Sequence, residues 1–339
     1  MVKRCLGLDI GGANIKVADT DSYARNWPFA MWNRSEELPE FLGEVLEAAP
    51  AIESLAVTMT GELADCFSSK SQGVRAILDA VSQVATGKDV RVYQVDGNWA
   101  TVEAARQDAL SVAAANWHAL ARFVSGAVGE KNFLLIDVGS TTTDLIPITA
   151  GTPSSRGNDD VSRLLAGELV YSGVERTPVC AVVESFPYRG EMCPLAAELF
   201  ATTLDVYLVL GDLLESSGTE HTGDGKLRSR QAAALRLSRM ICADPEQFTE
   251  SDALAAAQWV AEAQAKRLAV SIRTVLSASS EEIDHVFVSG HGDFLAHRAL
   301  SELGLPLSAS ALSERIGMVL SRSGPAYALA ALAAEEWVQ

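Results

Sequence analysis

The chain is poor in the features that define several large protein classes. Cysteine is scarce: five residues, odd in number and scattered (Cys5, Cys66, Cys180, Cys193, Cys242), with no Cys-x-x-Cys spacing. That excludes a disulfide framework as the main source of stability, weakens any zinc reading and is what a reduced, cytoplasmic protein shows. Basic residues are outnumbered, 27 against 44 acids, for a net charge of −17. A nucleic-acid partner needs a basic face, so none is expected, although a local positive pocket for a small anion remains compatible. No apolar run reaches the roughly 18 residues that a membrane span requires, so no membrane partner is expected. The start, MVKRCLGLDIGG, is interrupted by Asp9 and glycines, which argues against a signal peptide. What remains is a composition that is 48% hydrophobic and 21% charged over 339 residues, enough for two domains with separate cores.

The chain is organised around a repeated phrase. Asn132 to Ile148 reads NFLLIDVGSTTTDLIPI: an apolar run holding Asp137, then Gly139, Ser140, Thr141 and Thr142, then a second apolar run. Strand, tight turn, strand is the reading. Leu6 to Asp19, LGLDIGGANIKVAD, repeats it, with Asp9 matching Asp137, Gly11 matching Gly139, Asn14 matching Thr142 and Lys16 matching Asp144. Turns of glycine and small polar residues present backbone N–H and side-chain donors to one point, which suits phosphate oxygens. The phosphate-binding candidates are therefore Gly11, Gly12, Asn14, Lys16, Gly139, Ser140, Thr141 and Thr142. An acid at a strand end is costly to bury unless it is paired or holds a cation. Asp9 and Asp137 are the metal candidates, facing one another across a cleft, and two carboxylates beside phosphates suit Mg²⁺. Either hairpin alone is also what an ordinary glycine turn looks like; the repeat is what favours phosphate binding.

Elsewhere the pattern alternates strands and helices. Strands are expected at Ser54–Met59, Val90–Val95, Val179–Phe186 and His285–Ser289, with a further one over Trp27–Trp32. Helices are expected at 35–49, capped by Ser35, at 69–85, at 198–214, at 229–242, at 251–277 and at 324–337, with Ala100 to Val128 mostly helical and Asp293 capping a late helix. Gly151 to Asp160 reads as a mobile loop.

Ligands of open α/β folds sit beyond the carboxyl ends of strands. TMTGELADCFSSK, Thr58 to Lys70, crowds polar groups just past such an end. Glu62 and Asp65 there, and Asp96 beyond the next strand, compete as general bases. Thr60, Lys70, Asn98 and Arg176 are the substrate-binding candidates; Arg176 and Arg189 equally fit plain surface ion pairs. In VSGHGDF, Gly290 and Gly292 open the backbone to a phosphate at a helix start, while His291 reads more readily as a surface residue than as a catalyst.

Together LDIGGANIK, VTMTGELADCFSSKSQGV, FLLIDVGSTTTDLIPI, YSGVERTPVC, AAELFATTLDVYLVLGD and FVSGHGDFLA span nearly the whole chain. They resemble the superfamily of actin, heat-shock ATPases and sugar kinases, and within it the hydantoinase A/oxoprolinase group and its tetrahydromethanopterin-linked C1-transfer proteins. The resemblance implies an α/β fold of two ribonuclease-H-like (actin-like ATPase) domains around a central cleft, at about 1–130 and 131–320, with residues 321–339 returning as a helix to the first. It implies a transferase of methanofuran biosynthesis, joining a furanylmethyl diphosphate to a tyramine-type phenol with release of diphosphate and with Mg²⁺ as cofactor. An ATP-dependent kinase or hydantoinase-like enzyme, or a non-catalytic nucleotide-binding protein, are the alternatives, and ATP is then the further ligand. Substrates would be a diphosphate and a phenolic amine; a homodimer is left open.

Overall fold

The computed structural model describes residues 4–219 and 222–337. The first half runs β1 (Cys5–Ile10), β2 (Asn14–Ala18), β3 (Ala24–Pro28), α1 (Met31–Arg34), α2 (Leu38–Ala48), β4 (Ser54–Met59), α3 (Lys70–Val84), β5 (Asp89–Tyr93), β6 (Trp99–Thr101), α4 (Val102–Gln107) and α5 (Asn116–Val128). Then follow β7 (Phe133–Val138), β8 (Thr143–Thr149), β9 (Thr152–Pro153), α6 (Asp160–Ala166), β10 (Leu169–Val170), α7 (Val179–Val182), β11 (Ser185–Tyr188) and β12 (Glu191–Pro194). The chain ends with α8 (Thr203–Leu210), α9 (Arg230–Arg239), α10 (Glu250–Ala278), β13 (His285–Ser289), α11 (Asp293–Leu303), β14 (Ser308–Ala311), α12 (Ser313–Ile316), α13 (Met318–Ser321) and α14 (Gly324–Glu336).

Two compact units result. One comprises the described residues through Phe133, Ile146–Arg163 and those from Ser310 on; the other comprises Leu134–Leu145 and Leu164–Ala309. The expected α/β class is what the structure has. The first sheet runs β3-β2-β1-β4-β5-β6 and the second β10-β8-β7-β13-β14. Both share one plan: an acid-glycine hairpin, an antiparallel strand on its second arm (β3, β10), and a parallel strand on its first (β4, β13). This is the ribonuclease-H-like order, present twice.

In the first unit Leu6, Leu8, Ile10, Leu55, Val57 and Met59 turn one sheet face onto α2 and α3. The other face is built of small residues and receives α5 and α14. A Cβ at Gly7 would lie 1.8 Å from the Ala326 oxygen, so only glycine lets α14 approach β1 this closely. In the second unit Leu134, Ile136, Val138, Val286 and Val288 pack on α8, α10 and α11. Among the described residues no helix is long and apolar enough to cross a membrane.

Several expected boundaries move. Val179 to Phe186 is not one strand: Pro178 precedes a single helical turn, Val179–Val182, and the strand begins only at Ser185. A short apolar run carries no period to separate the two. Ser35 is not the N-cap expected of it: it ends α1, residues 35–37 form a 3-10 turn and α2 starts at Leu38, where Pro39 suits a first turn that needs no N–H. Trp27 to Trp32 divides at Pro28 into the end of β3 and α1. Asp293 is the first residue of α11 and Gly292 holds the cap position. The helix placed at 198–214 is only Thr203–Leu210, set by a Thr202–Asp205 capping box and by left-handed Gly211.

Candidate functional site

In the first unit the site begins at the end of β1. Asp9 is 4% exposed and stands opposite Lys16 in the antiparallel register of β1 and β2, the two side chains on one face of the sheet. The turn closes through Gly11 N–H donating to the Asn14 oxygen at 2.9 Å. A Cβ at Gly11 would lie 2.8 Å from that oxygen, so the tight turn demands glycine. From behind, the Gly12 and Ala13 oxygens accept the N–H groups of Met31 and Phe29, both at 2.9 Å. The Ile10 oxygen accepts Thr60 and Gly61 N–H, both at 3.0 Å, and so pins the loop after β4 to the end of β1.

That loop delivers Glu62, 1% exposed, with Oε2 lacking any hydrogen-bond partner. Its main chain packs on the first turn of α3, where a Cβ at Gly73 would lie 2.3 Å from the Glu62 oxygen. Burial, above all, pushes the Glu62 carboxyl up to about 7; its backbone hydrogen bond and Lys70 oppose this, and Asp160 and Asp9 add to it. Lys70 opens α3, which Ser69 caps through Gln72 N–H, and it ion-pairs with Asp160 at the start of α6. The structure therefore groups Asp9, Lys16, Glu62, Lys70 and Asp160. Asp160 is missed by sequence reasoning: it lies 90 residues from Lys70 at the end of a stretch read as a mobile loop, and no local signal marks it.

Other candidates fall elsewhere. Asp65 is exposed on the loop. Asp96 and Asn98 hold one another: Asp96 accepts Asn98 N–H at 3.0 Å and its side-chain amide at 2.8 Å, around Gly97 at φ +87°. They shape the β5–β6 turn, and Asp96 acts electrostatically on Tyr93 and His118.

The second unit repeats the turn. Gly139 N–H donates to the Thr142 oxygen at 2.9 Å, the same bond at the same place in the hairpin. Asp137, Ser140, Thr141 and Thr142 are half-buried. Here the turn is backed by residues 173–176: the Gly139 oxygen accepts Val174 N–H at 3.1 Å, and the Ser140 oxygen accepts Glu175 and Arg176 N–H at 3.0 Å. Arg176 is thus set beside the hydroxyl turn. A Cβ at Gly173 would sit 2.5 Å from the Ser140 and Thr141 main chain. A buried polar network fixes this support. Thr203 Oγ1 and Gln264 Nε2 both donate to the Gly173 oxygen at 2.9 Å, and Tyr207 donates to Gln264 Oε1 at 2.6 Å. Gly290, at φ +88°, and Gly292 pack on Val138, whose oxygen accepts Gly292 N–H at 3.2 Å. Close packing on β7 is reason enough for both glycines. His291 Nε2 lies 3.7 Å from Glu175 Oε1, which Arg228 also reaches at 2.8 Å.

Among the described residues no three His, Cys, Asp or Glu side chains cluster to cage a metal. A buried single carboxylate beside a glycine turn fits Mg²⁺, which keeps waters and shares ligands with phosphate oxygens.

The hydantoinase/oxoprolinase family profile matches residues 53–336. The chain is 33% identical over 330 residues, 96% of each chain, to a (4-{4-[2-(gamma-L-glutamylamino)ethyl]phenoxymethyl}furan-2-yl)methanamine synthase of Methanocaldococcus jannaschii. It is 30% identical to the synthase of that name from Methanococcus vannielii, over 64% of this chain and 96% of that one. Among solved structures it resembles nucleotide-free acetone carboxylase, at 14% identity and a TM-score of 0.57, over 98% of this chain and 70% of that one, a likeness of fold alone. By sequence, and in agreement with its twice-built α/β plan, the chain belongs to the hydantoinase/oxoprolinase family.

Proposed function

We propose that the chain makes the phenoxymethyl–furan ether of methanofuran biosynthesis, joining a furanylmethyl diphosphate to a tyramine-type phenol. The observation that carries the reading is Glu62: a buried carboxyl held near neutrality beside a glycine turn suited to phosphate. The extended identity to synthases whose printed name contains that ether supports the choice of substrate.

In this reading the bond between the furanylmethyl carbon and the bridging diphosphate oxygen breaks, and diphosphate leaves with the electron pair. The furan ring spreads the positive charge left on carbon. The phenol oxygen attacks that carbon and its proton passes to Glu62. A free phenol titrates near pH 10, so an acceptor is needed, and a carboxylate with a pKa of about 7 is a stronger base than an ordinary one. The Gly11 turn and Lys16 offer donors to the departing anion, and the Gly139 turn is the second unit's candidate for a phosphate. Asp9 in the first unit, and Asp137 at the matching place in the second, are the carboxylates that would hold Mg²⁺ beside their own turns; when bound it would neutralise charge on diphosphate. Thr60, Lys70 and Arg176 line these turns as substrate contacts. ATP is not consumed.

The test compares carboxylates in purified protein given donor, phenol and Mg²⁺. Glu62→Gln should lower kcat far more than Asp65→Asn or Asp96→Asn. Equal activity of Glu62→Gln and wild type would remove Glu62 from the chemistry.

A further inference from the structure

Beside each strand-end acid stands a hydroxyl that no protein group satisfies. Asp9 of β1 is in register with Thr58 of the parallel strand β4, and Asp137 of β7 with Ser289 of the parallel strand β13. In-register neighbours on adjacent strands present their side chains to the same face. Alternation along the strands fixes which face that is. Leu8, Ile10, Val57 and Met59 turn into the main apolar cluster of the first unit, so Asp9 and Thr58 turn away from it. Val138 and Val288 turn into that of the second, so Asp137 and Ser289 turn away likewise. Thr58 is 0% exposed and Ser289 is 3% exposed. Neither Thr58 Oγ1 nor Ser289 Oγ has a hydrogen-bond partner.

A buried hydroxyl without a partner costs stability, and one is a small defect. Two, at matching places in two units that share only a strand plan, are a pattern. Each strand then enters a glycine turn bonded to its hairpin: Thr60 and Gly61 to the Ile10 oxygen, Gly292 to the Val138 oxygen. The acid–glycine repeat seen in the sequence therefore extends, in space, to a hydroxyl from a different part of the chain.

We infer that Thr58 and Ser289 are positioning residues for phosphate with its hydrated magnesium, each acting within its own unit by giving its hydroxyl to a phosphate oxygen or to a water of the ion beside the neighbouring carboxylate. The inference rests on the phosphate-site reading proposed above and adds two residues to it. A hydroxyl serves where a second carboxylate would repel the phosphate, and it both donates and accepts, so it serves either a phosphate oxygen or a water.

The test is calorimetric titration of the full chain with inorganic diphosphate in MgCl₂, alongside thermal unfolding without ligand. Thr58→Val and Ser289→Ala should each weaken binding roughly five- to tenfold, the size of one lost hydrogen bond. Their unliganded Tm should hold or rise, because an unsatisfied buried hydroxyl has gone. Thr58→Ser, which keeps the hydroxyl, should bind as wild type does. Wild-type affinity in both Thr58→Val and Ser289→Ala would overturn the inference and leave the phosphate site standing. A clear fall in unliganded Tm in both would overturn it too, by making the hydroxyls structural. No binding of magnesium diphosphate by wild type would bring down the phosphate site itself, and the inference with it.

Discussion

The two hairpins are the same object in different company. Gly11 to Asn14 and Gly139 to Thr142 close by one identical bond, each after an acid at a strand end. What surrounds them differs. The first turn is held by the β3–α1 segment and faces a loop that brings Glu62, with Lys70 and Asp160 in its field. The second is held by residues 173–176 and carries three hydroxyls, with Arg176 beside it. A carboxyl pushed up by burial, the proposed general base, belongs to the first unit. The two turns share one construction; in the proposed reading both suit an anion, and only the first has a buried carboxyl beside it.

The difference is broken most sharply by removing the base. Glu62→Gln should cut kcat by roughly 10²–10⁴-fold, the usual contribution of a positioned base. Binding of magnesium diphosphate, read by calorimetry, should change little. Loss of both together would mean that Glu62 belongs to the anion site.

A second test uses stability. The Glu62 carboxyl titrates at about 7 in the fold against 4.5 when unperturbed, so the fold favours its neutral form. That advantage is full below pH 4.5 and is lost as pH rises through about 7. Wild type should therefore lose stability relative to Glu62→Gln between these values, by an amount on the order of 3 kcal/mol. Denaturant melts of the two proteins at pH 4.5 and pH 8 measure it; parallel behaviour would contradict the assigned environment.

On the second unit, Gly173→Ala should cost roughly 1–3 kcal/mol, since the new methyl meets the Ser140 and Thr141 main chain at 2.5 Å. It should weaken diphosphate binding while the acid limb of the kcat–pH profile stays at the wild-type midpoint. A shifted midpoint would show that the base depends on this turn.

The smallest effect sharpens the first unit. Asp160 raises and Lys70 lowers the Glu62 pKa. Asp160→Asn should move the acid limb of the kcat–pH profile down, and Lys70→Met should move it up, each by less than about 1 unit for half-exposed charges. Shifts in one common direction would mean that the pair does not act through Glu62.

The hairpins and the strands Ser54–Met59 and His285–Ser289 were legible because buried strands are apolar runs bounded by glycine and polar turns. The α/β plan followed from their alternation with amphipathic helices. Glu62 was legible as a candidate, since it lies three residues past a strand. Its separation from Asp65 and Asp96 was not. Asp96 is held in its own turn by Asn98, and Asp65 points to solvent, facts of side-chain packing that residue type does not encode. Asp160 and Ser289 were invisible for a different reason, and Thr58 showed only as one of a polar cluster: the residues they stand beside, Lys70, Asp137 and Asp9, lie far away in sequence and meet them only through a long crossover or sheet register. Val179 to Phe186 failed because four apolar residues after a proline suit a helical turn as well as a strand.

The central claim is that the first unit removes a phenolic proton while diphosphate leaves, with no ATP spent. The direct measurement is a single-turnover assay without ATP, with furanylmethyl diphosphate, a tyramine-type phenol and Mg²⁺, counting ether and diphosphate across pH 5–9. The account predicts one diphosphate per ether and a rate that rises with a midpoint near 7, the Glu62 value. Ether that forms only when ATP is added and ADP appears would contradict it.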